Sequence, residues 1–479
     1  MKRRLLSVMA LTLLLVSCAQ PTASPTPTTE PELTPYDDTA REVYPGEVWQ
    51  EATTPEQLGW SSEKLAKAQE YSEQIGSAAV MIVDDGVIVD SWGDVTRNYL
   101  CHSMRKSLLS ALYGIYAAEG KIVLSKTLQE LSIDDYTPLT EAEKQATVAD
   151  LLRARSGVYI PAAGEAASMK AMRPERGSHA PGTFWYYNNW DFNALGTIFD
   201  QETGEESIYQ AFKTRIADPI GMQDFPIESL QYHYEPYSMH PYYNFRMSAR
   251  DLARFALLFL REGRWQDQQI IPADWVQEST ATYSQTGPDS GYGYMWWTGV
   301  KGGLFPHVKV KEHSYYASGW GGHEAIVLPY RNLVVVHRVN TDEAGQSVDT
   351  AQIGILLWLI LDAAGETEIG ESPFIESAKG VRLTADNLQE TIAGSTARSA
   401  SGSGEIVVSF SKDGTMTVSM AGALIDTGKW WTKDDQLCSQ FTNPDLGGGG
   451  CGHVVLDGTT MKLFDLGGTL SMKFEYSRE

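Results

Sequence analysis

Hydrophobic positions recur with two different periods along the first three quarters of the chain. Helical spacing predicts helices at residues 61–75, 108–120, 147–158, 248–263 and 350–364. The run at 248–263 opens on Ser248 and closes on Gly263, as expected of a capped helix. Strand-like runs flank the turn signal Asp84-Asp85-Gly86 within residues 78–93 and return at residues 324–340. We expect these helices and strands to form one α+β domain at residues 55–366.

The pattern changes near residue 381. From there to residue 479 the chain shows short strand-like runs, glycine-rich turns and little helical spacing. We therefore predict a separate small all-β domain at residues 381–479.

We expect the N-terminal residues to form a targeting segment that is not part of the folded domain. Residues 1–17 join the basic run "MKRR" to an apolar run too short for a comfortable membrane span. They lead into "LVSC", which resembles a bacterial lipobox, so we expect a signal peptide at 1–17 and a lipid on Cys18. Residues 18–54, which begin rich in Pro, Thr and Ser, are expected to form a disordered tether. The alternative is an ordinary signal peptide that contains a cysteine.

Composition and charge narrow the functional class. The 479 residues are 42% hydrophobic and 21% charged, which suits a large core. The formal net charge of −23 repels phosphate backbones and anionic lipid, so we expect no nucleic-acid partner. Membrane contact is expected only through the lipid on Cys18, which predicts a lipid-anchored protein of the bacterial cell envelope, outside the cytoplasm.

The cysteines and histidines favour a disulfide and no metal site. With Cys18 lipidated, we expect Cys438 and Cys451 to pair outside the cytoplasm and Cys101 to stay a buried thiol. The nine histidines form no H-x-H or H-E-x-x-H pair, and the cysteines lack zinc-finger spacing. No metal or cofactor is expected.

The motif S-x-x-K carries candidate chemistry, but it occurs at Ser61/Lys64, Ser103/Lys106 and Ser409/Lys412. The last pair lies in a strand-like run, where a spacing of three puts the side chains on opposite faces. The first pair begins a polar helix, where a serine is expected to act as a cap and a lysine to stay solvated.

Ser103 and Lys106 stand at the start of an apolar helix, where residues three apart share a face. Burial there would lower the pKa of Lys106 toward a value useful for a base. Ser103 would lie at the positive end of the helix dipole, where backbone N–H groups can stabilise an oxyanion. The alternative is a capping serine followed by a lysine that reaches solvent.

A second segment, "PGTFWYYNNWDFNALG" at residues 181–196, joins "SMRK" in a pattern that resembles the serine β-lactamase and penicillin-recognising superfamily. It is most similar to the class C and esterase branch, which includes 6-aminohexanoate-dimer hydrolases. Counting from Pro181, the family tyrosine falls on Tyr187, the asparagine on Asn189 and the closing glycine on Gly196. The registers Tyr186/Asn188 and Tyr242/Asn244 are alternatives.

The resemblance implies a β-lactamase/transpeptidase-like fold over about residues 60–365: an antiparallel sheet flanked by helices, with an all-α lobe. It implies that Ser103 is the nucleophile and that Lys106 and Tyr187 act as general base and then acid. We expect the Lys106 ammonium to lower the pKa of Tyr187. The amide of Asn189 is expected to hold a substrate carbonyl or to orient Lys106.

The third family element, a basic residue followed by Thr or Ser and Gly, falls on Ala317-Ser318-Gly319. Alanine replaces the cation that holds a ligand carboxylate, which favours a neutral substrate. An alternative register uses Trp320-Gly321-Gly322. By resemblance, Gly319 lets a carbonyl approach the backbone, and the N–H groups of Trp320 and Ser103 form the oxyanion hole. His323 and Glu324 are expected at the rim.

These observations predict a serine hydrolase that cleaves a small-molecule ester or amide through an acyl-enzyme. A D,D-peptidase or β-lactamase is one alternative. Another is a binding or sensor module that does not turn over.

Overall fold

The computed structural model describes residues 43–204, 207–401, 404–420, 422–442 and 449–478. The predicted signal peptide 1–17, Cys18 and most of the predicted tether lie outside these residues. The described chain divides into two compact units, with the boundary between Ile369 and Gly370.

The first unit mixes helices and strands. Its helices are α1 (Ser62–Ile75), α2 (Arg105–Ala118), α3 (Val148–Leu152), α4 (Ala167–Met172), α5 (Asn189–Thr203), α6 (Ile208–Phe212), α7 (Ala249–Leu260), α8 (Ala273–Ser279) and α9 (Thr350–Ala363). Its strands are β1 (Ala79–Asp84), β2 (Val87–Gly93), β3 (Tyr99–Leu100), β4 (Tyr232–His233), β5 (Tyr242–Tyr243), β6 (Arg246–Met247), β7 (Arg264–Trp265), β8 (Gln268–Gln269), β9 (Ser284–Gln285), β10 (Ser290–Tyr292), β11 (Trp297–Gly299), β12 (Tyr315–Gly319), β13 (His323–Leu328) and β14 (Leu333–Arg338).

One large antiparallel sheet organises this unit, in the strand order β2-β1-β14-β13-β12-β11-β10-β9. Every residue of β1, β13 and β14 is buried, so these central strands are covered on both faces. Helix α7 packs on β13 and β14, and α1 packs against α9. The predicted antiparallel sheet flanked by helices is confirmed.

Helix α2 is the centre of a helical lobe with α5 and α6. All of its residues from Arg105 to Tyr116 are buried, which explains why its sequence is apolar nearly all round. The positive φ of Gly120, +72°, lies just beyond its C-terminal end, as predicted.

Two stretches differ from the sequence prediction. The helix expected at 147–158 ends at Leu152, because Ala154 adopts a φ of +56° and its carbonyl accepts from the N–H of Tyr186. Residues 43–54, predicted as the end of the tether, pack on the first unit: the ring of Tyr44 lies 5.4 Å from that of Trp265, and the N–H of Ala52 donates to Ile88.

The second unit is a barrel of strands. Its elements are β15 (Val381–Arg382), α10 (Ala385–Ile392), β16 (Ser395–Ser401), β17 (Gly404–Phe410), β18 (Thr415–Met420), β19 (Ala423–Lys433), β20 (Gln436–Gln440), β21 (Gly450–Asp457), β22 (Thr460–Phe464) and β23 (Leu470–Arg478). The strands pair in the order β15-β21-β20-β19-β18-β17-β16-β23-β22, and a further β21–β22 pairing closes the ring. The predicted separate all-β domain is confirmed.

A disulfide and a short helix are two further features of the barrel. Cys438 on β20 lies opposite Cys451 on β21, and the structure joins them in a disulfide. The short helix α10 was not predicted; Leu388 and Ile392, four residues apart, bury its one apolar face. None of the described helices has the length and apolar character of a membrane span.

Candidate active site

Ser103 lies in a short 3₁₀ turn, His102–Met104, that runs directly into α2. His102, just before it, adopts a φ of +47°, in the left-handed region that non-glycine residues rarely occupy. The N–H of Met104 donates to the carbonyl of Cys101, which tightens the turn. The turn thus presents the half-buried Ser103 side chain at the N-terminus of a buried helix.

Lys106 reaches back along α2 to Ser103. Its Nζ lies 2.7 Å from Ser103 Oγ and 2.8 Å from the hydroxyl of Tyr187. The same Nζ lies 4.5 Å from the ring centroid of Tyr187 and 4.8 Å from that of Phe192. Lys106 is only 2% exposed, and within the described residues it forms no ion pair. Burial, assisted by the charge of Arg105, holds the pKa of Lys106 well below its usual value.

Tyr187 lies two residues before Asn189, the first residue of α5. Asn188 caps that helix, accepting from the N–H of Trp190, and donates its own amide to Val158 and Asp191. These contacts fix the backbone beside Tyr187, whose ring packs against Tyr292 and other aromatic rings.

The pKa of Tyr187 moves opposite to the sequence expectation. Burial raises the pKa of Tyr187 to about 12, although its hydrogen bond with Ser103 opposes the rise. The expected lowering required a neighbouring ammonium, but the neighbouring amine of Lys106 is itself driven toward the neutral form. Tyr187 is therefore a protonated hydroxyl near neutral pH, and the lowered pKa of Lys106 favours its neutral amine.

The structure also distinguishes the alternative tyrosine registers. The hydroxyl of Tyr186 donates to the carbonyl of Met169, and Tyr242 stacks on His233. Tyr187 is the tyrosine that reaches Lys106. The amide of Asn189 donates to the carbonyl of Gly164 at 2.7 Å, and its oxygen has no partner among the described residues, so it does not orient Lys106.

The end of β12 approaches the Ser103 turn closely. A Cβ atom on Gly319 would lie 2.4 Å from the carbonyl oxygen of Cys101, so only glycine fits there. Trp320 follows in the β12–β13 turn and is 63% exposed. Ala317, the position where the resemblance implies a basic residue, is buried in β12.

Two residues expected at the rim lie in the interior instead. His323 and Glu324 are 0% and 1% exposed. Both belong to β13, a central strand that is buried along its whole length. Burial raises the pKa of Glu324 well above its usual value, and Ser318 donates to its Oε1 at 2.9 Å. A neutral, hydrogen-bonded carboxyl is the form that such a position tolerates.

The other two S-x-x-K motifs lie at the start of a helix and at the end of a strand. Ser61 caps α1 by accepting from the N–H of Lys64, and the Lys64 amine pairs with Asp362 at 2.8 Å. Ser409 lies on β17, and Lys412 follows in the turn after that strand.

Sequence reasoning missed part of the site. Trp185, Tyr292 and Trp297 complete the aromatic surroundings of Tyr187. The run "GYGYMWW" at 291–297 carried a signal for two of them, because it is rich in aromatic residues. Within the described residues, no three His, Cys, Asp or Glu side chains are grouped so that they could hold a metal ion.

The sequence matches that of a known protein family. The sequence model of the family described as Beta-lactamase matches residues 63–357. No curated protein sequence matches the chain.

Several solved structures are similar to this chain at low sequence identity. A protein assigned as a 6-aminohexanoate-dimer hydrolase from Bacillus anthracis is 18% identical, with a TM-score of 0.50, covering 68% of this chain and 89% of its own. The octameric penicillin-binding protein homologue from Pyrococcus abyssi is 16% identical, with a TM-score of 0.49, covering 85% and 99%. EstCE1, a hydrolase with promiscuous acyltransferase activity, is 14% identical, with a TM-score of 0.46, covering 65% and 99%.

Proposed function

The chain belongs to the beta-lactamase family, and on that premise we propose that it cleaves a small-molecule ester or amide through an acyl-enzyme on Ser103. The observation that carries the proposal is the position of the Lys106 amine. It lies within hydrogen-bond distance of both Ser103 Oγ and the Tyr187 hydroxyl, in a buried site that disfavours its charged form. A serine hydroxyl needs such a base before it can act as a nucleophile.

Acylation begins with proton transfer from Ser103 Oγ to Lys106 Nζ as Oγ attacks the substrate carbonyl carbon. The carbonyl π electrons move to oxygen, and the backbone N–H groups of Ser103 and Trp320 stabilise that oxyanion. When the tetrahedral intermediate collapses, the Tyr187 hydroxyl donates its proton to the leaving group. Lys106 then returns the serine proton to Tyr187, across the 2.8 Å contact between them.

Deacylation repeats the same steps with water. Lys106 takes a proton from the attacking water, and Ser103 Oγ leaves the second tetrahedral intermediate and recovers that proton from the Lys106 ammonium. The reaction balances with one water consumed, and it uses only side chains and backbone groups of this chain.

Ala317 bears on the substrate class. At this end of β12 Ala317 is buried and uncharged where the resemblance implies a cation, so it offers no pairing charge to a ligand carboxylate. Desolvating an unpaired carboxylate is costly, so a neutral acyl donor is favoured over a penicillin or a peptide C-terminus.

A fluorophosphonate probe tests the nucleophile. We expect one probe adduct by intact mass on the wild-type protein, mapped to the peptide that holds Ser103, and none on Ser103→Ala. Ser61→Ala is the matched control because Ser61 heads another S-x-x-K motif and caps α1. An adduct on Ser103→Ala equal to wild type would contradict the proposal, and rapid hydrolysis of a chromogenic cephalosporin would favour the β-lactamase alternative.

We also propose that the protein is lipid-anchored at Cys18, outside the cytoplasm of a bacterium, because "LVSC" follows a basic and then an apolar run. Bacteria that produce the chain and are fed an alkyne fatty acid should label the wild type but not Cys18→Ala. A mature N-terminus other than residue 18 would contradict the anchor.

A further inference from the structure

The hydroxyl of Thr341 lies between two histidines that belong to opposite sides of the candidate oxyanion hole. His102 Nε2 is 2.8 Å from Thr341 Oγ1, and His323 Nε2 is 3.2 Å from the same oxygen. His102 immediately precedes Ser103, and His323 ends the β12–β13 turn that carries Trp320. The Thr341 hydroxyl therefore links two segments of the backbone: the one that carries the N–H of Ser103 and the turn that carries the N–H of Trp320.

The neutral form of both imidazoles allows both contacts at once. Burial lowers the pKa of His102 to about 4 and also lowers the pKa of His323, so both imidazoles are neutral near pH 7. A neutral imidazole nitrogen is either a donor or an acceptor. A hydroxyl can donate to one ring and accept from the other, so Thr341 can bond the Nε2 atoms of both rings simultaneously.

The left-handed backbone conformation of His102 makes its contact with Thr341 important. A φ of +47° at a non-glycine residue persists only where the surroundings enforce it. His102 is held by Thr341 and by two ring contacts, 5.4 Å from the centroid of Trp320 and 5.3 Å from that of His323. If the hydroxyl were lost, this strained residue would be free to shift, and Ser103 with it.

The β12–β13 turn, which carries Trp320, is held by hydrogen bonds from other parts of the chain. His337 Nδ1 lies 2.5 Å from the carbonyl oxygen of Gly322, and the N–H of Val348 donates to the carbonyl of Gly321. The Thr341 methyl group lies 2.6 Å from the place where a Cβ atom on Gly321 would be. Thr341 therefore contributes shape through its methyl group and a bridge through its hydroxyl, and these contributions can be separated by substitution.

We propose that Thr341 is a positioning residue for acylation: its hydroxyl fixes His102 and His323, and through them the spacing of the Ser103 and Trp320 N–H groups. The inference rests on the proposed serine hydrolase function. Neither Thr341 nor the two histidines needs to touch the substrate for this role.

Two substitutions separate the hydroxyl from the shape. Thr341→Val keeps the shape and removes the hydroxyl, whereas Thr341→Ser keeps the hydroxyl and removes the methyl group. We expect Thr341→Val to lose about 10- to 100-fold in kcat with little change in KM, since misplaced oxyanion donors act on the transition state. Thr341→Ser should stay within about threefold of wild type, because the bridge is retained.

Thr298→Val is the matched control. The Thr298 hydroxyl is buried in the same sheet and lies 2.7 Å from that of Thr282, so its loss also removes a hydroxyl contact. It should leave kcat unchanged. Affinity for phenylboronic acid, which forms a tetrahedral adduct with an activated serine, should fall in Thr341→Val in proportion to kcat, which a general loss of stability would not produce.

The outcomes distinguish the inference from its premise. Wild-type kcat and boronate affinity in Thr341→Val, with Ser103→Ala inactive, would overturn the role of Thr341 alone. Equal losses in Thr341→Val and Thr341→Ser would also overturn it, because the hydroxyl would then not be the essential group. Full activity in Ser103→Ala would overturn the proposed function itself.

Discussion

The Nζ atom of Lys106 lies 2.8 Å from the hydroxyl oxygen of Tyr187, and burial shifts the pKa values of the two groups in opposite directions. The pKa of the Lys106 amine falls well below its usual value, while the pKa of the Tyr187 hydroxyl rises to about 12. Burial therefore favours a neutral amine facing Ser103 and a protonated phenol beside it. The proposed mechanism accordingly uses Lys106 as the proton acceptor and Tyr187 as the proton donor.

The pH dependence of turnover follows from that distribution. Below the lowered pKa of Lys106 the amine is an ammonium and cannot accept the serine proton, so kcat/KM should fall as pH falls through that pKa. Above it, kcat/KM should stay level toward the pKa of Tyr187, about 12. Hydrolysis of a neutral ester across pH 5–10, corrected for the uncatalysed rate, measures this profile.

The Tyr187→Phe variant tests the assignment within the same profile. We expect the acid limb to remain, because Lys106 is still present, while the plateau falls by about 10²-fold or more from the loss of the proton donor. If the acid limb vanished in this variant, Tyr187 and not Lys106 would be the group whose ionisation controls acylation.

Lys106→Arg should be nearly inactive although it preserves a positive charge and hydrogen-bond donors. A guanidinium is not deprotonated in proteins, so the variant keeps the donors but has no base. The expected loss in kcat is about 10²- to 10⁴-fold. Lys64→Arg, at the lysine paired with Asp362, is the control and should retain wild-type kcat. Substantial turnover in Lys106→Arg would exclude Lys106 as the base.

Part of this site could be predicted from the sequence because it is local. Ser103 and Lys106 are three residues apart at the start of an apolar helix, so their proximity follows from helical geometry. Tyr187 could be placed only by its motif, 81 residues away. The direction of its pKa shift could not be predicted, because β10 and β11 supply the burying rings of Tyr292 and Trp297 through tertiary packing.

Other misses have similar causes. His323 and Glu324 follow a glycine pair, which is typical of an exposed turn, but they begin a central strand that pairs with β12 and β14 and packs against α7. Thr341 lies in the loop after β14 and meets His102 only because the sheet brings the two together. The early end of α3 depends on carbonyls that accept from the segment leading to Tyr187.

Gly319 tests the close approach of β12 to the nucleophile turn. In Gly319→Ala the added Cβ atom would meet the backbone carbonyl of Cys101 at 2.4 Å, which cannot yield as a flexible side chain could. We expect a loss of about 1–3 kcal/mol in the free energy of unfolding and a lower kcat/KM. Gly46→Ala is the control, since nothing lies within 4 Å of its added Cβ atom. Equal effects of both substitutions in chemical denaturation and ester hydrolysis would contradict the proposed contact.

The disulfide should matter for the barrel and not for catalysis. Cys438 and Cys451 close a loop with a sequence separation of 13, so replacing both with serine should cost the second unit about 3 kcal/mol. Scanning calorimetry of the whole chain, with and without reductant, measures the effect, and kcat for the ester should be unchanged. A large loss of kcat with an unchanged calorimetric profile would contradict this expectation.

Stopped-flow hydrolysis of p-nitrophenyl butyrate, with wild type beside Ser103→Ala, tests the central claim most directly. An acyl-enzyme on Ser103 predicts p-nitrophenolate release in a burst stoichiometric with enzyme whenever deacylation is slower than acylation, followed by steady turnover. Both phases should be absent from Ser103→Ala. If the variant released p-nitrophenolate at the wild-type rate, Ser103 would not be the nucleophile.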